Sequence, residues 1–183
     1  MTKHEYYTYT KEELLNKGAK LPVIVMEDNT AVFQSMAEEM TEEIKKNNAE
    51  GKKTVFICPV GPVGQYPYFV EMVNKEKISL KNVWFINMDE YLDDDKKWVP
   101  ETHPLSFRGF MNRTVYSQID PELVMPEGQR VFPDPENVEY IPQLIEKLGG
   151  VDICFGGIGI NGHVAFNEAD ASLSLSLIHI SEP

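Results

Sequence analysis

Cysteine is scarce: the 183 residues include only Cys58 and Cys154. Two thiols cannot staple a disulfide scaffold. Each sits near the end of an apolar strand-like run, so both are expected as buried thiols. Positive charge is short as well. With 17 Lys and Arg against 29 Asp and Glu, the formal net charge is −12, which excludes a non-specific grip on nucleic acid, since phosphate backbones need a basic surface. No apolar run is long enough to span a bilayer, and the N-terminus lacks a signal-peptide pattern. A cytoplasmic enzyme or binding domain is the expectation. The acidic run Asp93-Asp94-Asp95 lacks the spaced ligands of a calcium loop and reads as a solvated turn. There is no internal repeat.

The sequence alternates strands with helices. Thr10-Lys-Glu-Glu-Leu-Leu predicts a short capped helix. Leu21–Met26 reads as a strand with its proline at the start, where it is tolerated. Asp28-Asn29-Thr30 offers N-caps for a helix whose apolar face is Val32, Phe33, Met36, Ala37, Met40 and Ile44. Its methionines are core residues, not a cofactor box. Thr54–Cys58 is the next strand, followed by a proline-glycine loop and a helix to about Lys75. Asn82–Met88 is a strand, and a helix is expected from Leu105 to about Ile119. Arg130 lies in a short strand, Gln129–Phe132. Pro135–Leu148 reads as a helix interrupted or kinked at Pro142. Val151–Phe155 is the last strand. This alternation predicts an α/β fold, a Rossmann-like parallel sheet with helices on both faces.

The chemistry concentrates at strand ends, where such folds hold ligands. After Val151–Phe155 come Gly156, Gly157, Gly159 and Gly162, then His163 and Glu168. Glycines let a ligand approach main-chain N–H groups. Gly157, Gly159 and Gly162 also fit the spacing of a dinucleotide fingerprint. That motif needs a helix opening at its third glycine and an acid about 20 residues on. His163-Val-Ala-Phe-Asn is a poor first helical turn, and only Glu182 lies at the right distance, so nicotinamide binding is set aside. Gly61 and Gly64 punctuate the loop after Thr54–Cys58. That loop reads equally as a plain turn or a phosphate cradle, and it has no P-loop lysine, serine or threonine. Asp89 and Glu90 follow Asn82–Met88. A partly buried carboxylate there could act as a general base, and a capping role is the plainer reading. His103 reads first as a capping residue. Arg108 and Arg113 are the cations most able to meet an anion, with a solvated face as the default.

Three blocks carry a family likeness: Phe85-Ile-Asn-Met-Asp-Glu-Tyr91, His103-Pro-Leu-Ser-Phe-Arg-Gly-Phe-Met-Asn-Arg113, and Gly156-Gly-Ile-Gly-Ile-Asn-Gly-His-Val-Ala-Phe-Asn-Glu168. In order and spacing they resemble the glucosamine-6-phosphate deaminase family, over roughly Leu21 to Leu173. The resemblance implies an isomerase-deaminase that opens the ring of glucosamine 6-phosphate, moves a proton between C1 and C2, and releases ammonia to give fructose 6-phosphate. It implies Asp89 as the C2 proton acceptor, His163 as the ring-opening histidine and Glu168 as the carboxylate supporting it. Gly61, Gly64, Gly157, Gly159 and Gly162 become the candidate substrate-binding positions. The resemblance implies no metal or organic cofactor. The partner is a small amino-sugar phosphate, not nucleic acid or membrane, and a homo-oligomer of the intact parent stays open.

The sequence also departs from the family. Asn161 stands where the family has aspartate; an amide there orients the imidazole without stabilising its cation. Val60-Gly61-Pro62-Val63-Gly64 replaces a loop that in the family carries small hydroxyl residues, and Pro62 removes a backbone donor. After about Leu173 the likeness stops. Residues 174–183 read as a non-native tail of the adapter read-through kind, so the expectation is the N-terminal portion, residues 1–173, of a larger domain whose C-terminal part is missing. Two other readings compete. A 6-phosphogluconolactonase-like hydrolase shares the fold, but its usual residues after the histidine differ from Ala165-Phe166-Asn167-Glu168. A sugar-phosphate-sensing domain is favoured by Asn161 and the altered loop. It should bring a basic helix-turn-helix, which the chain lacks.

Overall fold

Two strands rich in β-branched and aromatic residues carry the sheet: β1, Thr54–Cys58, and β2, Val83–Asn87. The computed structural model describes residues 8–16, 22–159 and 162–166. Ahead of β1, helix α1 (Lys11–Asn16) opens with a reciprocal cap: Thr10 N donates to Glu13 Oε2 at 2.8 Å, and Glu13 N donates to Thr10 Oγ1 at 3.2 Å. Helix α2 (Asn29–Ala49) starts on Asp28, whose Oδ1 accepts the Ala31 N–H at 2.8 Å. It buries Ala37, Met40, Thr41, Ile44 and Asn47, so its methionine stripe is core.

Helix α3 (Gln65–Glu76) follows the loop after β1 and packs along α2. After β2 come helix α4 (Phe107–Thr114), strand β3 (Arg130–Val131), helix α5 (Tyr140–Leu148) and strand β4 (Ile153–Cys154). Among the described residues the four strands pair in parallel, in the order β3-β2-β1-β4. The chain therefore steps outward from β1 to β3 and then returns to the other side of β1. That reversal makes the carboxyl ends of β1 and β4 a topological switch point, where open α/β sheets hold ligands. Asp152 locks the return: its Oδ2 accepts the Val55 N–H at 2.7 Å, while its own N–H reaches Val55 O at 2.9 Å.

The register pairs Thr54 with Val83 and Phe56 with Phe85, so Thr54, Phe56 and Cys58 share a face with Val83, Phe85 and Asn87. On that face Phe85 meets Phe56, Phe69 and Tyr116, with ring centroids 6.1, 5.8 and 6.3 Å apart. Met40 and Ile44 of α2 belong to the same core. On the opposite face Val55 and Ile86 are buried while Ile57 and Trp84 are half-buried. Burial of both side-chain parities is the mark of a parallel sheet.

Four expectations change. Pro22–Met26 is not a strand, and Ile24 is 78% exposed. Its β-branched run has the propensity, but no described strand pairs with it. The segment expected as one helix from Leu105 to Ile119 is α4 plus a 3₁₀ turn at Tyr116–Gln118, because Val115 leaves helical geometry at φ −121° and ψ −72°. Helix α5 begins at Tyr140, not Pro135: the Asp134 carboxylate accepts the N–H groups of Glu136 and Asn137 at 2.7 and 2.9 Å, holding a turn instead. Pro142 then falls in the first helical turn, where its missing N–H costs nothing. Finally, Cys154 is exposed; only Cys58 is buried.

Candidate active site

A cavity of about 620 Å³ opens at the carboxyl ends of β1, β2 and β4. Three loops and the first turn of α4 wall it. The loop after β1 supplies Val60, Gly61 and Pro62; the loop after β2 supplies Met88, Asp89 and Tyr91; the loop after β4 supplies Gly157, Gly159 and His163. Asp89 and His163, two of the residues singled out from sequence, therefore share one cavity.

Asp89 is 9% exposed. Burial, and then the neighbouring Glu90 charge, push its carboxyl up to about 6. No hydrogen bond from a described residue offsets that rise. Glu90 faces the other way. Its carboxylate is enclosed and accepts backbone N–H groups of Tyr91, Phe107 and Arg108 at 2.8, 2.9 and 2.8 Å. One neighbour of the pair thus lines the cavity and the other fastens the loop to the start of α4.

His163 sits in a narrow hairpin. Ile158 and Val164 form its bridge, Gly159 N donates to His163 O at 2.9 Å, and Gly162 N donates to Gly159 O at 2.9 Å. Gly162 turns the chain at φ +84°, and a Cβ on Gly159 would occupy the place of the imidazole ring. These glycines place the histidine. Gly157 lets the β1 and β4 loops meet: a Cβ there would lie 3.0 Å from Pro62 Cδ. Gly61, Gly157 and Gly159 line the cavity; Gly64 and Gly162 do not. A Cβ on Gly64 would strike the Phe33 ring, so that glycine serves the packing of α3 on α2. Asn161 and Glu168 lie outside the described residues. Residues 162–166 form no helix, so the third glycine of the dinucleotide spacing does not open one, and the fingerprint fails in structure too.

The remaining candidates lie elsewhere. Arg108 donates to Val99 O at 2.9 Å and lies 4.2 Å over the Trp98 ring. Arg113 donates to Glu101 O at 2.8 Å. The His103 ring Nδ1 accepts the Leu105 N–H at 3.2 Å, the turn-capping role that was its first reading. Among the described residues no lysine or arginine lines the cavity. Sequence reasoning missed the aromatic wall. Tyr91, Phe107 and Phe166 form a cluster with centroids 5.1 to 6.0 Å apart, joining the loop after β2, the start of α4 and the loop after β4. It also missed Ser106, whose Oγ accepts the Gly109 N–H at 3.0 Å as the cap of α4. A serine just ahead of an apolar-periodic stretch was the available signal.

No family model matches the chain. Curated relatives do. A glucosamine-6-phosphate deaminase of Phocaeicola vulgatus is 35% identical over 158 residues, 83% of this chain and 58% of that protein. One of Caenorhabditis elegans is 32% identical over 159 residues, 84% of this chain and 57% of the relative. Among solved structures, a monomeric glucosamine-6-phosphate deaminase superposes with a TM-score of 0.68 at 25% identity, covering 81% of this chain and 59% of the other. A Neisseria gonorrhoeae protein described as a candidate 6-phosphogluconolactonase gives 0.53 at 20% identity, covering 76% of this chain and 58% of that one, a likeness of fold alone. The chain spans somewhat more than half the length of these relatives. Over four-fifths of its own length the chain is similar to the glucosamine-6-phosphate deaminases, and it shares their parallel α/β fold.

Proposed function

We propose that the protein is an amino-sugar-phosphate isomerase and deaminase, converting glucosamine 6-phosphate or a close analogue to a ketose phosphate and ammonia. The observation that carries this reading is Asp89: a carboxylate buried at the switch-point cavity that His163 also lines, with its pKa raised to about 6. A proton α to a masked carbonyl needs a positioned base of that strength. His163 opens the sugar ring. The Asp89 carboxylate takes the C2 proton of the open chain, leaving an enolamine, and a proton is delivered to C1. Water then hydrolyses the resulting imine, and the nitrogen leaves as ammonia. Glu168 supports His163, and Asn161 orients it. Main-chain N–H groups around Gly61 and Gly157 meet the substrate oxygens, while Gly159 places the His163 ring. Asp89 and His163 supply this chemistry without a cofactor. Among the described residues no helix is long and apolar enough to cross a membrane; with the acidic charge, that supports a cytoplasmic site of action.

The test is ammonia and fructose 6-phosphate production from glucosamine 6-phosphate by the full-length protein. Asp89→Asn is expected to lower turnover at least about a hundredfold, the scale of general-base loss, while sparing substrate binding. Near-wild-type turnover in that variant removes Asp89 from the mechanism.

A further inference from the structure

We infer that Glu90 is a positioning residue: a fixed buried anion, moored on the N-terminus of α4, that makes Asp89 a stronger base. The inference rests on the proposed reading of Asp89 as the proton acceptor. Its ground is geometric. The Glu90 side chain is fully buried, yet its surroundings are donors: three backbone N–H groups within 2.9 Å and the Ser106 hydroxyl at 3.5 Å. That set fits an acceptor-only carboxylate. The N-terminal end of the helix dipole favours negative charge at the same place. The neighbouring cation is largely committed elsewhere. Arg108 Nε is 3.4 Å from Glu90 Oε2, but its Nη2 donates to Val99 O, its Nη1 lies 3.7 Å from Glu101, and its guanidinium stacks on Trp98.

The ionisable groups facing Asp89 come from every wall. Glu90 and Tyr91 share its loop, Arg108 stands beside Glu90 on α4, Tyr66 of α3 is buried nearby with its hydroxyl on Pro59 O, and His163 lines the same cavity. Of these, Glu90 is the carboxylate held at full burial, directly behind the base. A nearby like charge disfavours ionisation and so raises proton affinity. A base of higher proton affinity abstracts a carbon-bound proton better, provided it is still ionised at the working pH. The mooring therefore acts on Asp89 through charge as well as through loop position.

The experiment is the pH profile of kcat/KM in the full-length protein. Glu90→Gln keeps the shape and removes the charge. Its acid limb is expected to move down by on the order of one pH unit, with a few-fold loss of turnover at high pH. A purely structural role would scale the whole profile and leave the limb in place. Arg108→Gln unscreens Glu90 and is expected to move the limb upward; it gives a readout even where Glu90→Gln fails to fold. Opposite shifts in the two variants support the inference. A limb that stays put in either folded variant overturns it. The companion variant Asp89→Asn separates the two readings: if it is inactive while the limb is fixed, only the Glu90 inference falls; if it keeps turnover, both fall.

Discussion

Asp89 and Glu90 are chain neighbours in opposite surroundings, and the contrast has a measurable cost. Asp89 meets burial and a like charge, so its carboxyl is held at about 6 in the folded chain, above the unfolded value of about 3.9. A raised folded value contributes stability below about pH 4 that is lost as pH climbs through about 6. At neutral pH the ionised base is therefore a liability to the fold. Asp89→Asn is expected to be inactive yet more stable at pH 7, by roughly 1–2 kcal/mol after screening by the open cavity. Thermal unfolding of both proteins across pH checks it. The gap should open between about pH 4 and 6 and stay level above pH 7; no gap would mean the carboxylate is better solvated than its burial indicates. Gly159 gives a second residue-scale outcome. A Cβ there would displace the His163 ring, so Gly159→Ala is expected to lower turnover by up to about a hundredfold, the cost of a displaced reacting group. Steady-state kinetics check it, and unaltered kcat would show that the ring has room to move.

Helix ends decide much of the local structure. Helix α5 stops at Gly149, which takes φ +98° while Gly150 N donates to Ile145 O at 2.9 Å. An L side chain is strained there, so Gly149→Ala is expected to cost about 1–2 kcal/mol, read as a lower denaturant midpoint. Helix ends were legible at Asp28 before α2 and Thr10 before α1, through their capping side chains, and at Gly149 after α5, through its left-handed turn; the Ser106 cap of α4 was overlooked. The start of α5 was not legible. Pro135 carries a first-turn signal, but Asp134 spends its carboxylate on a competing turn. Strands β1 and β2 were legible as apolar runs. Pro22–Met26 was misread because β propensity says nothing about whether a neighbour is present to pair with. In the site, Asp89 and His163 were legible because both follow strand ends. Glu90 follows the same strand end, and which carboxylate faces the cavity depends on α4, distant in sequence. Gly64 belonged to a recognisable glycine loop, but Phe33, far away on α2, is what requires it.

At the scale of the whole molecule, the sheet divides the chain into unequal halves. The face bearing Phe56 and Phe85 packs a continuous core drawn from α2, α3, the 3₁₀ turn after α4 and Phe155, while the face bearing Ile57 and Trp84 leaves both half-buried. Stability and the site are tied to the first face. Phe155, whose ring meets Phe56 edge-on at 5.4 Å, immediately precedes the glycine loop that carries His163, and β2 leads from Phe85 to Asp89. The two faces are therefore expected to respond differently to truncation. Phe85 is fully buried at the meeting point of Phe56, Phe69 and Tyr116. Phe85→Ala is expected to cost about 3–5 kcal/mol, because it forfeits the ring and leaves a cavity among aromatic neighbours that cannot all collapse into it. Trp84, next in the same strand, points to the other face and keeps part of its surface in water. Trp84→Ala removes a larger side chain but less buried area, and is expected to cost less, about 1–2 kcal/mol at the usual value per unit of apolar area. Chemical denaturation of the two variants gives the comparison directly. A Trp84→Ala loss equal to or above that of Phe85→Ala would place the dominant core on the opposite face of the sheet from the one described.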